Sequence, residues 1–280
     1  MTISLIICTR NRAGPLVRCL AAVAGLNHAG RWELIVVDNG SSDDTAAVVA
    51  AFAAEQRFPV RCVSQPVKGL SNARNAGVAV AIGDLVFFTD DDCYVESGTL
   101  DAVAAAFADP GIGYASGRVR LFDPDDYPVT INESLQPLRF PARRFLPAGM
   151  VKGANLAFRR AVLDAIGPFD PLFGSGGLFP SEDADAAMRA SLAGWDGAYD
   201  PDIVVWHHHG RKQADVADLY RSYDIGRGAF HAKLIGLKGG LLPGLAAWAG
   251  LPGRARRRAG LWRGEWDGAL GYWRARRARV

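Results

Sequence analysis

The sequence predicts an α/β protein built on a mostly parallel sheet covered by helices on both faces. Three observations predict it. Strand-like and helix-like segments alternate through the first hundred residues, the pattern that builds layered α/β domains with right-handed crossovers. The run Leu85-Val86-Phe87-Phe88-Thr89 reads as a buried strand and ends abruptly in Asp90-Asp91-Asp92. Polar groups also close the other strand-like runs, and open α/β sheets place their ligand crevice at such strand ends.

Taken in order, Ile3–Cys8 is a strand, followed by a helix over Pro15–Ala24 with apolar spacing at Leu16, Cys19, Leu20 and Val23. Glu33–Val37 is a second strand that closes on Asp38-Asn39-Gly40. Ser41 to Asp44 offer caps to a helix over Thr45–Ala54. Val60–Ser64 is a strand, Leu70–Ala81 a helix, Asp84–Thr89 the strand that leads into the acids, and Ser97–Ala108 a helix. Beyond residue 110 the alternation loosens. Ile112–Leu121 is extended, and Asp123–Pro147, rich in Pro, Arg and Asp, reads as a long substrate-facing loop. Regular structure returns with Gly153–Phe158, helices over Ala161–Ile166 and Glu182–Leu192, a short strand Ile203–Trp206 ending in three histidines, and a helix over Gln213–Ile235.

The composition describes an ordinary globular chain of 280 residues, with 49% apolar and 22% charged residues. The four cysteines show neither a CxxC pair nor zinc-ligand spacing, so nothing calls for an oxidising compartment. No secretory signal or transmembrane segment is legible. The most membrane-like stretch, Leu234 to Leu251, contains Lys238, Pro243 and five glycines. The expected location is the cytoplasm, including its membrane surface. The net charge of +3 hides an asymmetry: from Arg254 onward nine arginines face two acids, a local +7 that leaves −4 on the rest of the chain.

Three carboxylates at one strand end repel one another unless a cation neutralises them, and hard divalent ions that bridge to phosphates suit oxygen donors. Thr9-Arg10-Asn11-Arg12 closes the first strand, Asp38 the second, and His207-His208-His209 a late one. Sheet topology brings such ends to one crevice. Arginines and backbone N–H groups near a helix start suit a diphosphate, and a carboxylate with a histidine can complete a divalent site.

Several ordered motifs carry these groups: Ser4–Arg12, Glu33–Asp43, Lys68–Gly77, Gly83–Asp92, Gly153–Arg160, Ser181–Asp185 and Val204–His207. Together, between Ile3 and Gly228, they resemble the inverting GT-A glycosyltransferases of family 2. The resemblance implies a GT-A fold over residues 1–235, with a nucleotide-binding half over about 1–110 and an acceptor half over about 111–235, followed by a basic helical extension at 236–280. It implies donor-nucleotide contacts from Thr9, Arg10, Arg12, Asp38, Arg74, Asp90 and Asp91, with Asp38 at the base. The Asp90-x-Asp92 pair implies Mn²⁺ or Mg²⁺, held by Asp92 with His207 or His209. Asp183 matches the catalytic base, and Gly153, Asn155 and Glu182 fall beside the donor sugar and acceptor. The implied donor is a nucleotide diphosphate sugar; UDP and dTDP are preferred because Asp38 resembles a uracil-binding position, and GDP stays open. The implied acceptor is a glycan or lipid-linked precursor.

Other classes fit less well. A nucleotidyltransferase would carry a Gly-rich phosphate loop with a lysine after the first strand, where this chain has Thr9-Arg10-Asn11-Arg12; a dinucleotide-binding enzyme would carry GxGxxG there. A phosphatase built on Asp-x-Asp-x-Thr/Val does not match Asp90-Asp91-Asp92-Cys93-Tyr94. A non-catalytic sugar-nucleotide binder of the same fold is the remaining alternative. In the tail, Trp248, Trp262, Trp266 and Trp273 interleave with arginines, the chemistry of an anionic membrane interface. The competing reading is a helix pair packed on the domain with its arginines in water. Charge alone would admit nucleic acid, and nothing else supports it.

Overall fold

The computed structural model describes residues 1–253 and 260–278. Arg254, Arg256, Arg257, Arg258 and Arg279 of the basic tail lie outside the described residues. Along the chain run β1 (Ile3–Thr9), α1 (Ala13–Ala24), β2 (Trp32–Asp38), α2 (Thr45–Glu55), β3 (Val60–Ser64), α3 (Leu70–Val80), β4 (Leu85–Asp90), β5 (Cys93–Val95), α4 (Thr99–Ala106) and β6 (Ile112–Leu121). Then follow β7 (Leu138–Phe140), β8 (Asn155–Arg159), α5 (Arg160–Ile166), α6 (Glu182–Leu192), β9 (Asp196–His207), α7 (Val216–Ile235), α8 (Leu241–Ala249) and α9 (Leu261–Arg277).

All nine strands join one mixed sheet in the order β3-β2-β1-β4-β8-β6-β9-β5, with β7 paired to β9. Its first four strands are parallel, with Thr9 opposite Asp38 and Cys8 opposite Asp90. That register sets the ends of β1, β2 and β4 side by side. β8 enters antiparallel against β4 and β6, while β6 runs parallel to β9.

Alternation along each strand sends side chains to opposite faces, and both faces are buried. Leu5, Ile7, Leu34, Val36 and Phe87 pack beneath α1 and α4, whereas Ile6, Ile35, Val37, Val86 and Phe88 share a core with α6, α7 and α9. Burial on both sides explains why β1, β2 and β4 read as almost unbroken apolar runs.

Two features depart from the sequence expectation. β9 spans twelve residues rather than the four apolar ones of Ile203–Trp206. Its first half, Asp196 to Asp202, is polar and gains strand geometry from pairing with β6 and β7 rather than from an apolar pattern. The segment read as one long loop contains β7 and a bridge from Asn132 to Val119.

In the C-terminal part, α9 lies along α7 at very close range. A Cβ on Gly228 would stand 1.8 Å from the Glu265 carbonyl oxygen, and one on Gly268 would stand 1.9 Å from that of Ile225. Glycine at both positions is what admits the crossing. Among the described residues no helix is long and apolar enough to cross a membrane.

Candidate functional site

A cleft of about 800 Å³ opens at the C-terminal ends of β1 and β4. Thr9, Arg10, Arg12, Asp90, Asp91 and Asp92 line its floor; Arg74, Gly153, Glu182 and Asp183 line one wall, with His207 close by. Residues nearly two hundred positions apart thus share one space, as a sheet that collects its strand ends requires.

The three acids divide their work. Asp91 turns inward, accepting a 2.6 Å hydrogen bond from the Thr9 hydroxyl and pairing at 2.8 Å with Arg12 Nε. Burial raises its pKa to about 6 against the pull of Thr9 and Arg12. Asp90 and Asp92 face the cleft with His207, whose Nε2 lies 3.3 Å from Asp92 Oδ1. Burial favours protonation of Asp92, but the His207 hydrogen bond, the His207 charge and Arg12 outweigh it and hold the carboxyl below its ordinary range. Desolvation pushes Asp90 the other way, opposed by Arg74.

Ligand atoms of Asp90, Asp92, Cys93 and His207 all lie within 4.8 Å of one another. Two carboxylates and an imidazole form a donor set that suits Mn²⁺ or Mg²⁺. Cys93 is the odd member of the group: its soft sulfur is a poorer match for these hard ions than the carboxylates. The side chain of His209, the alternative to His207, is buried; its Nδ1 accepts the Arg211 backbone N–H and sits 3.7 Å from Asp126. A second cluster, Asp123, Asp126 and His208, has similar spacing, but Lys212 Nζ lies 2.7 Å from Asp126 and neutralises it.

Arg74 ties the floor to the wall. It is almost wholly buried, lies between the rings of Phe88 and Phe169, and donates to Glu182 Oε1 at 2.9 Å and to the Gly153 carbonyl at 3.1 Å, with Asp90 at 3.8 Å. Burial lifts the Glu182 carboxyl to about 7, more than Arg74 can lower it. A Cβ at Gly153 would stand 2.7 Å from the Arg74 guanidinium, so any larger residue there would displace it. The Gly153 N–H donates to Asp183 Oδ2 at 2.9 Å, so this one residue links Arg74 to Asp183. Glu182 and Asp183 form the first turn of α6, whose N-terminus favours negative charge, and Ser181 before them takes the left-handed region at φ +97°.

Two expected residues stand apart from the cleft lining. Asn155 is fully buried, and its amide donates to the carbonyls of Arg118 and Ile203, bridging strands inside the sheet. Asp38 closes β2 as expected, but its carboxylate accepts the Ser41 N–H at 2.8 Å. Its neighbour Asn39 lines the cleft instead, gripping the Gln65 and Val67 carbonyls and the Gly69 N–H at the start of α3.

The sequence reading missed Asn39, Lys152, Arg211 and Tyr223, all of which line the cleft. Lys152 precedes Gly153, and burial lowers its pKa, opposed by the Asp183 charge. Arg211 donates to the Tyr223 hydroxyl at 3.3 Å. Adjacency to the Gly153 turn was the one available signal for Lys152; Arg211 and Tyr223 carry no local signature, since the loop after β9 brings in the one and α7 the other.

Residues 4–167 match the family described as glycosyl transferase family 2. The chain is 25% identical over 206 residues to "Glycosyltransferase AglE" of Haloferax volcanii, covering 73% of this chain and 66% of that protein. It is 28% identical over 219 residues to "Pre-mycofactocin glycosyltransferase" of Mycobacterium tuberculosis, covering 74% and 43%. The match therefore spans less than two thirds of these relatives' own lengths. Among solved structures, "Mannosyltransferase PcManGT from Pyrobaculum calidifontis in complex with GDP-Man and Mn2+" aligns with a TM-score of 0.66 at 22% identity, over 99% of this chain and 75% of that one.

Proposed function

The chain belongs to glycosyl transferase family 2, and from that premise we propose that it moves a sugar from a nucleotide diphosphate sugar to an acceptor hydroxyl, with inversion at the anomeric carbon. One observation carries the reading: Asp90, Asp92 and His207, a donor set for a divalent cation, share a cleft with Asp183, and Arg74 and Gly153 link the two poles.

Each residue then has a task. Thr9 and Arg12 hold Asp91 inward, which fixes the turn that presents Asp90 and Asp92. Asp90, Asp92 and His207 would hold Mn²⁺ or Mg²⁺, whose charge would offset that of the departing nucleoside diphosphate. Arg10 and Arg211, both at the cleft, add fixed positive charge for the same anion. Asp183 accepts the proton of the attacking hydroxyl as the carbon–oxygen bond forms, and the Gly153 N–H orients its carboxylate. No second carboxylate is assigned as nucleophile, so a single displacement and inversion follow.

Residues 1–110 would hold the nucleotide and 111–235 the acceptor. The mannosyltransferase neighbour was solved with GDP-Man and Mn²⁺, which supports a guanine nucleotide; for UDP or dTDP the support is the resemblance of Asp38 to a uracil-binding position, a residue whose carboxylate accepts the Ser41 N–H outside the cleft lining. The acceptor we favour is a glycan or a lipid-linked precursor, met at the cytoplasmic face of a membrane.

The test is thermal unfolding with UDP, dTDP, GDP and CMP, each with and without Mn²⁺. A ligand selective for the native state raises its midpoint. One nucleoside diphosphate should stabilise the protein only with Mn²⁺, and Asp92→Ala should remove that dependence. Stabilisation by none of the four, from protein that melts cooperatively, would overturn the reading.

A further inference from the structure

The geometry points to a membrane-docking face on the C-terminal helix pair, and we propose that it seats the protein on an anionic lipid bilayer. The face begins on α9. At roughly 100° per residue, Trp262, Trp266 and Trp273 fall within about 40° of one another, and they are 51%, 51% and 40% exposed. The arc beside them packs on the domain: Gly264, Glu265, Gly268, Ala269 and Tyr272 are buried. The helix is therefore seated along one arc and carries its three tryptophans, about half exposed, at the edge of that contact.

The tryptophan stripe continues onto α8. Trp266 meets Trp248 edge-on with ring centroids 6.0 Å apart. On α8 as well, Leu241, Leu242 and Leu245 are 54%, 76% and 52% exposed. Exposed apolar side chains scattered singly need no explanation, but six large ones on two adjacent helices do.

Charge identifies the occupant. Arg277, Arg263 and Arg274 follow the tryptophans on one flank of α9, and Arg263 lies 5.3 Å from the Trp262 ring centroid. The sequence between the two helices adds Arg254, Arg256, Arg257 and Arg258. Indoles at headgroup depth beside arginines that meet anionic lipid are the chemistry of an interfacial helix. The bare leucines favour acyl chains over nucleic acid, which would engage the indoles and arginines and leave aliphatic side chains without a partner. α7 carries Tyr223 and Arg227 at the cleft and packs against α9, so a bilayer under this face would lie one helix away from the acceptor side. The inference does not depend on the donor chemistry.

Flotation of the full chain with lipid vesicles tests it. The protein should float with vesicles containing phosphatidylglycerol, at least tenfold less with pure phosphatidylcholine, and should be released by salt on the order of 0.5 M, where charges are screened. Trp262→Ser/Trp266→Ser should lose flotation and keep the nucleotide-dependent thermal shift of the parent. Failure of the parent to float, or equal flotation of parent and variant, would overturn the proposal. So would a dimer that depends on the two tryptophans with no vesicle binding, which would give the face to a second copy of the chain. Flotation without any nucleotide response would leave the docking face standing and remove the donor reading.

Discussion

Arg74 shows how much of the cleft depends on one buried cation. With Glu182 at 2.9 Å and Asp90 at 3.8 Å, it neutralises acids that would otherwise repel across the site. Glu182 nevertheless binds its proton more tightly when folded, from an ordinary 4.5 to about 7. A raised carboxyl pKa means that the folded state holds more protons than the unfolded one across that window, so this residue's contribution to stability is fully present below about 4.5 and is lost as pH rises towards 7. Glu182→Gln should flatten that decline, read as the urea midpoint at several pH values; an unchanged slope would show that Glu182 ionises normally. For Asp183, whose carboxylate is aimed by the Gly153 N–H, replacement by Asn should lower turnover by roughly 10²–10⁴-fold, the usual worth of a positioned base. Donor binding by calorimetry should stay near that of the parent, and turnover within a few fold of the parent would remove Asp183 as the base. The acids and the histidines were legible in the sequence because they stand at strand ends, and Asp183 because the Ser181–Asp185 motif resembles the family's. Arg74 was legible as important, but not as a buried strut: which way an arginine points is decided by the phenylalanines and acids that surround it.

At the scale of elements, the α7–α9 crossing is the tightest joint in the described structure. Gly228→Ala would drive a methyl against the Glu265 carbonyl, and overpacking of this kind costs about 1–3 kcal/mol. The variant should unfold at lower urea, while parent-like stability would mean that the two helices can separate without penalty. The first half of the sheet was readable because each parallel strand is a short apolar run bounded by polar groups. The polar half of β9 was not, because its strand geometry comes from neighbours on both sides. β7 escaped for a related reason: three residues with one buried side chain make no periodic pattern.

For the whole molecule, alternation along the chain foretold the layered architecture but not the strand order, which depends on β8 entering antiparallel between β4 and β6. That insertion carries the Gly153 turn to the end of β4, beside the acids. The pairing of β5 with β9 has a temporal consequence. Cys93 aligns with His207, so Asp92 gains its imidazole partner only after more than a hundred further residues have been made. At about 5–20 residues per second on the ribosome, the nascent chain spends roughly 6–23 seconds with β1 to β4 made and the histidine still missing. During that interval Arg12, which pairs with Asp91 at 2.8 Å and Asp92 at 2.9 Å in the folded chain, is the counter-charge already made.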